Sequence, residues 1–131
     1  MEEALGQALR DVDTEDIAAI GVSGQQHGLV ALDANREPLL ASKLWCDSES
    51  APQAAELSKI CPWAVPAAFT ASKIRWLQEE RPEAYGALRH VLLPHDYVNF
   101  WLTGELAMEV RRACARMHSC RSLCTHEPAA G

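Results

Sequence analysis

Long apolar runs, a basic leader and regularly spaced cysteines are all missing from this sequence of 131 residues. No apolar run approaches the roughly 20 residues needed to span a bilayer, so a membrane helix is not expected. The opening residues, MEEALGQALRDVDTED, are acidic and lack the basic and apolar regions of a secretory signal peptide. The sequence therefore predicts a cytoplasmic protein that does not act at a membrane.

Basic residues are scarce over residues 1–110, where eight Lys and Arg face 17 Asp and Glu. An acidic surface repels nucleic acid and anionic lipid at long range, so neither is an expected partner. Residues 111–131 have the opposite balance, with four Arg, one Glu and three of the five cysteines. The change in composition predicts one folded domain over 1–110 and a different, disordered segment over 111–131.

The pattern of apolar residues predicts an α/β fold. Helical spacing occurs near the N-terminus and repeatedly after residue 47, where Pro and Gly punctuate the chain. Short apolar runs bounded by turn residues are typical of buried strands, and they occur at 17–23, 29–33, 39–46 and 91–93. Because the first three runs have short connections, they are expected to form an antiparallel meander.

The segment Ile-Gly-Val-Ser-Gly-Gln-Gln-His-Gly over residues 20–28 is the most unusual stretch of the sequence. Its glycines allow the backbone to turn or to approach a ligand closely. The side chains of Gln25, Gln26 and His27 offer donors and acceptors that suit hydroxyl groups. The residues alone support two interpretations, a small-molecule site built from a strand end or a polar hairpin turn.

Four ordered blocks surround and include this segment: IGVSGQQHGLVALD, LLASKLWCDSESA, FTASKIRWLQEERPE and HVLLPHDYVNFWLTGE. Together they resemble the N-terminal domain of the FGGY carbohydrate kinases, and within that family the xylulokinase branch. The resemblance implies a partial actin-like (ribonuclease H-like) domain with a short mixed sheet and flanking helices. It also implies transfer of a phosphate from ATP, with Mg, to the hydroxyl of a ketopentose such as D-xylulose.

The resemblance also assigns substrate-binding residues. Gln26 and His27 match the pair that hydrogen-bonds the sugar hydroxyls in the family, while Trp45 and Asp47 match a segment that lines the sugar pocket. A Trp ring is suited to packing on the apolar face of a sugar. Each residue also has a structural interpretation: His27 as an ordinary turn residue, Trp45 as a core aromatic and Asp47 as a helix N-cap.

Two further residues in the matched blocks are expected to be structural. Lys73 is interpreted as a scaffold or surface lysine on a helix that borders the sugar cleft in the family. Asp96 stands at the start of the last predicted helix, where a carboxylate is stabilised by the positive end of the helix dipole. Asp96 is therefore interpreted as a cap and not as a catalytic base.

The residues that phosphoryl transfer requires are missing from the sequence. The reaction depends on a phosphate cradle, metal ligands and a base, yet neither a GxxxxGK[ST] loop nor the family's Asp-x-Gly-Thr and Gly-Gly-Gly-Asp segments occur. No catalytic or metal-binding residue is assigned. The chain is expected to be a kinase fragment that carries part of the sugar side, binds ATP and Mg poorly and is inactive alone.

Two alternatives to a kinase fragment are considered. The first is a non-catalytic sugar-binding or regulatory module. The second is an interaction protein organised by zinc through cysteine and histidine residues near the C-terminus: Cys114, His118, Cys120, Cys124 and His126. Structural zinc sites usually pair cysteines two to four residues apart, and this spacing fits that pattern poorly. No metal is therefore expected.

Overall fold

A computed structural model describes residues 2–108 of the chain. The helices are α1 (Glu2–Ala8), α2 (Ala51–Ile60), α3 (Thr70–Glu80), α4 (Pro82–Ala87) and α5 (Pro94–Thr103), with a 3-10 turn at Thr14–Asp16. The strands are β1 (Val30–Leu32) and β2 (His90–Leu92). This order of helices and strands confirms the predicted α/β class.

The two strands form an antiparallel pair in which Ala31 lies opposite Val91. Because successive side chains of a strand point to opposite faces, β1 contributes to two clusters of buried residues. On one face Leu29 and Ala31 pack with Trp76 and Leu77 of α3. On the other face Val30, Leu32 and Leu92 pack against residues of α5 and the chain that follows it. The sheet therefore lies between α3 and α5.

A proline and a glycine bound the last helix, α5. Pro94 occupies its first turn, where the missing N–H of proline costs no helical hydrogen bond. The Asp96 carboxylate accepts a hydrogen bond from the backbone N–H of Leu93 at 3.3 Å, which confirms its interpretation as a cap. Gly104 ends the helix with a φ of 75°, a left-handed conformation that glycine adopts without a steric penalty.

The predicted three-stranded meander forms only in part. Residues 17–23 form no strand. Residues 38–43 do lie antiparallel to residues 29–32, through the isolated bridges of Leu29 with Lys43 and of Leu32 with Pro38 and a hydrogen bond from the Leu39 N–H to the carbonyl of Ala31 at 2.9 Å. Pro38 has no N–H to donate, which interrupts the ladder beside β1. The strand that completes the sheet with β1 is β2, far along the chain. Among residues 2–108 the sheet is therefore antiparallel and not mixed.

Several predictions concern residues outside the described range. The domain boundary at residue 110, the disorder over 111–131 and the zinc ligands all lie there. Within residues 2–108, no helix is both long and apolar enough to cross a membrane. The same residues contain no group of three or more His, Cys, Asp or Glu side chains placed to hold a metal ion.

Candidate functional site

The turn over residues 24–28 lies against the beginnings of α3 and α5. The hydroxyl of Thr70 donates a hydrogen bond to the carbonyl of Gly28 at 3.1 Å. Nδ1 of His95 lies 3.4 Å from the carbonyl oxygen of Gln25. These contacts join the turn to both helices, so its position is set by tertiary structure as well as by its own sequence.

Close packing explains the two glycines that bound this turn. A Cβ atom on Gly28 would lie 2.6 Å from Cγ of Pro94, and one on Gly24 would lie 3.0 Å from Cβ of His95. Distances under 3.0 Å are not seen for real Cβ atoms. The packing gives these glycines a role that was not predicted from the sequence, the close approach of the turn to another element of the protein, while the approach to a ligand stays a prediction.

His27 is held in an uncommon conformation within the turn. Its φ of 63° is left-handed, a region that histidine visits more often than most residues other than glycine. Its imidazole is half-buried and stacks on the ring of Phe69, with 4.5 Å between ring centroids and 19° between ring planes. The neighbouring Gln26 is exposed. The turn thus combines a positioned imidazole with an exposed amide.

The second pair of predicted site residues follows the bridge between Leu29 and Lys43, whose backbones exchange hydrogen bonds of 2.8 and 3.0 Å. Trp45 has 56% of its surface exposed, so its interpretation as a core aromatic is wrong. The carboxylate of Asp47 accepts a hydrogen bond from the backbone N–H of Leu44 at 2.7 Å. Asp47 therefore stabilises its own turn, and its interpretation as the N-cap of α2 is wrong because that helix begins at Ala51.

A shallow depression lies beside Asp47. Six residues line it: Lys43, Asp47, Glu49, Ser50, Lys73 and Trp76. Nζ of Lys43 lies 2.5 Å from a carboxylate oxygen of Glu49 and 4.3 Å from the centroid of the Trp76 ring. The Lys43 ammonium is thus fixed between an anion and an aromatic face, a favourable cation–π geometry.

Lys73 is buried, with 2% of its surface exposed. Its ammonium donates hydrogen bonds to the carbonyl of Ala67 at 2.8 Å and to that of Ala68 at 3.2 Å. Burial lowers the pKa of Lys73, an effect that the nearby Asp47 and Cys46 oppose and that Lys43 reinforces. The structure thus confirms Lys73 as a scaffold residue and excludes the surface alternative.

One residue of each predicted pair lies next to the beginning of α3. His27 contacts Phe69, which directly precedes the helix, and Asp47 lines the depression that it shares with Lys73. Phe69 and His95 were not predicted to contact the turn. Both lie within matched blocks of the sequence, but residues so far apart along the chain carry no local signal of contact.

The sequence profile of the FGGY family of carbohydrate kinases, N-terminal domain, matches residues 1–119. The match therefore includes all four predicted substrate-binding residues. It extends beyond residue 110, and the domain boundary proposed there remains a prediction.

Curated relatives are similar over most of this chain. The xylulose kinase of Streptomyces coelicolor is 48% identical over 115 residues, which are 79% of this chain and 24% of that kinase. The xylulose kinase of Haemophilus influenzae is 42% identical over 107 residues, 71% of this chain and 21% of that kinase. The chain thus spans about a quarter or less of the length of these relatives.

A solved structure agrees with the sequence comparisons. The xyloylose kinase of Brucella ovis superposes with a TM-score of 0.67 at 39% identity, over 79% of this chain and 23% of that kinase. The predicted partial actin-like domain of an FGGY kinase is therefore confirmed as the fold.

Proposed function

The chain belongs to the FGGY family of carbohydrate kinases, and we propose that it forms part of the sugar-binding side of a kinase for D-xylulose. The reaction of the whole enzyme transfers the terminal phosphate of ATP to D-xylulose and yields D-xylulose 5-phosphate and ADP. The names of its relatives, which are xylulose kinases, support this substrate.

The observation that carries the proposal is the fixed turn that presents Gln26 and His27. Contacts with two helices hold its backbone, and the Phe69 ring packs on the imidazole of His27, so the backbone of the turn and the imidazole are ordered before a ligand arrives. Ordering in advance reduces the entropy lost on binding. Amide and imidazole groups offer both donors and acceptors, which match the hydroxyls of a sugar.

Trp45 and Asp47 supply the second part of the proposed site. The exposed indole of Trp45 offers a flat apolar surface that is suited to the C–H face of a sugar. Asp47 fixes the short turn that carries Trp45, through its hydrogen bond to Leu44. Its carboxylate lines the depression next to the indole-bearing turn and offers further acceptor capacity to a hydroxyl.

The described residues offer groups for a sugar, and none of them is assigned to ATP or Mg. Phosphoryl transfer relies on groups that neutralise charge on the phosphates and on carboxylates that hold the metal. Neither a GxxxxGK[ST] loop nor the Asp-x-Gly-Thr and Gly-Gly-Gly-Asp segments of the family occur in the sequence. We propose that this chain alone has no kinase activity, and no catalytic step is assigned to its residues.

A chemical-shift titration of the histidine rings with D-xylulose tests the proposal. Two or three hydrogen bonds that compete with water contribute about 0.5–1.5 kcal/mol each. After the entropy of association is subtracted, we expect a dissociation constant in the millimolar range or weaker. The His27 ring is expected to shift more than any group outside the turn and the Trp45–Asp47 segment.

A matched pair of variants makes the titration specific. His27→Asn keeps a residue that tolerates the left-handed backbone but removes the imidazole, and it is expected to weaken D-xylulose binding. His90→Asn makes the same change on β2, in a different part of the fold, and is expected to leave binding unchanged. Equal binding by both variants, or tighter binding of ATP than of the sugar, would contradict the proposal.

A further inference from the structure

Phe69 stacks on His27 and thereby connects the proposed sugar site to the start of α3, where Ser72 and Lys73 are buried. The two rings are nearly parallel, at 19°, with 4.5 Å between their centroids. Phe69 is half-buried at the start of α3, and His27 is half-buried in the turn. The contact uses the faces of both rings, whereas the hydrogen bonds of an imidazole lie in the plane of its ring. Stacking and hydroxyl recognition are therefore geometrically compatible.

The segment that carries Phe69 is fixed from within α3. Lys73 donates to the carbonyls of Ala67 and Ala68, and the hydroxyl of Ser72 donates to the carbonyl of Pro66 at 3.0 Å. Both Lys73 and Ser72 are buried, with 2% and 0% of their surface exposed. Their hydrogen bonds hold the loop against the first turn of the helix, so the position of the Phe69 ring is set by the scaffold.

We propose that Phe69 is a positioning residue that fixes the plane of the His27 imidazole for contact with the sugar hydroxyls. The inference rests on the proposed function, because it assigns a role at the same sugar site. An unstacked imidazole rotates about the bond between Cβ and the ring, which turns its two nitrogens through different directions. The aromatic face of Phe69 restricts this rotation, so the directions of both nitrogens are set before the sugar binds.

Substitutions at Phe69 test the inference through sugar affinity. Phe69→Leu keeps an apolar side chain of similar size but removes the aromatic face, and it is expected to raise the dissociation constant for D-xylulose about three- to tenfold. Phe69→Tyr retains the ring and is expected to keep nearly the original affinity. Phe100→Leu makes the same change in the cluster on the other side of the sheet and is expected to leave affinity unchanged.

A nuclear Overhauser measurement on the unsubstituted chain provides a readout that does not depend on sugar. Cross-peaks between the His27 and Phe69 ring protons are expected, together with an upfield ring-current shift of the His27 signals. Their absence from the unsubstituted chain would overturn the inference. In Phe69→Leu the His27 ring signals are expected to move downfield while helical circular dichroism is retained.

The outcomes separate the inference from the function on which it rests. Stacked rings in a chain that does not bind D-xylulose would remove the proposed function and the positioning role with it. Binding of D-xylulose with equal affinity by the unsubstituted chain and Phe69→Leu would remove the positioning role alone. A loss of affinity in Phe100→Leu equal to that in Phe69→Leu would also overturn the inference, because the effect would then be general.

Discussion

Two adjacent segments, residues 17–23 and the turn over 24–28, have environments opposite to those that their compositions suggest. The first reads Ile-Ala-Ala-Ile-Gly-Val-Ser and is mostly apolar, yet Ile20 has 62% of its surface exposed. The second is polar and glycine-rich, yet Gly28 is buried and two helices hold the turn. Composition therefore does not decide which of the two segments is fixed.

The difference between the segments lies in the partners that the fold supplies. A strand requires a neighbouring backbone for its hydrogen bonds, and within residues 2–108 no strand pairs with residues 17–23. The turn has partners because Thr70 and His95 stand at the beginnings of α3 and α5. The turn that carries Gln26 and His27 is thus fixed by the beginnings of two helices and not by a continuous sheet.

Among substitutions in the two segments, the largest effect is expected from a glycine substitution in the turn. In Gly28→Ala the new methyl group would lie 2.6 and 2.7 Å from ring atoms of Pro94 and 3.1 Å from the carbonyl oxygen of Lys43. Overpacking of this kind costs about 1–3 kcal/mol, so the urea midpoint is expected to fall by a corresponding amount. The measurement is equilibrium unfolding in urea followed by circular dichroism.

Gly21→Ala is the matched control in the neighbouring segment. A Cβ atom there would meet no atom within 4 Å, so the free energy of unfolding is expected to change by less than about 0.5 kcal/mol. Equal stability of Gly28→Ala and the unsubstituted chain would mean that the turn does not pack against α5 as described.

A smaller effect, one that depends on pH, is expected from Lys73. Burial holds the pKa of Lys73 in the folded state below the usual 10.5. At pH values between the folded-state pKa and 10.5, the unfolded state therefore binds more protons than the folded state. The free energy of unfolding therefore rises with pH through that window. Lys73→Met lacks this contribution. The stability of the unsubstituted chain relative to Lys73→Met is thus expected to increase as the pH rises toward the usual pKa of 10.5.

The control for Lys73 is Lys59→Met, which makes the same change at an exposed position near the end of α2. Its stability relative to the unsubstituted chain is expected to show no matching increase over the same pH range. A difference between Lys73→Met and the unsubstituted chain that decreases with pH would show that burial does not disfavour the charged form of Lys73.

The presence of helices after residue 47 was predictable from the sequence. The boundaries of α5 are encoded locally, by Pro94 in its first turn and Gly104 at its end, whereas the start of α2 was not predicted correctly. β1 lies inside the predicted run at 29–33. Its pairing with β2 was not predictable from neighbouring residues, since antiparallel partners can lie far apart along the chain.

The candidate site was predicted in its residues and not in its geometry. The glycines flanking Gln26 and His27 indicated a turn or a close approach to a ligand, and nothing in the sequence indicated that they pack on Pro94 and His95. Lys73 was interpreted as either a scaffold or a surface residue. The buried position was the less expected of the two, because lysine is almost never fully buried without hydrogen-bonding partners. Those partners are carbonyls that the sequence does not distinguish from any others.

The smallest effect is expected from Ile20→Ser in the apolar segment. A side chain with 62% of its surface exposed has little apolar area to lose from burial, so the free energy of unfolding is expected to change by less than about 0.5 kcal/mol. Leu32→Ala is the buried comparison: its side chain has 0% exposure, and the substitution is expected to lower the free energy of unfolding by about 2–5 kcal/mol. Urea unfolding at two protein concentrations checks both variants. Destabilisation of Ile20→Ser by more than 1 kcal/mol that grows with protein concentration would mean that residues 17–23 find a partner in a second copy of the chain, and the contrast with the turn would then hold only for the single chain.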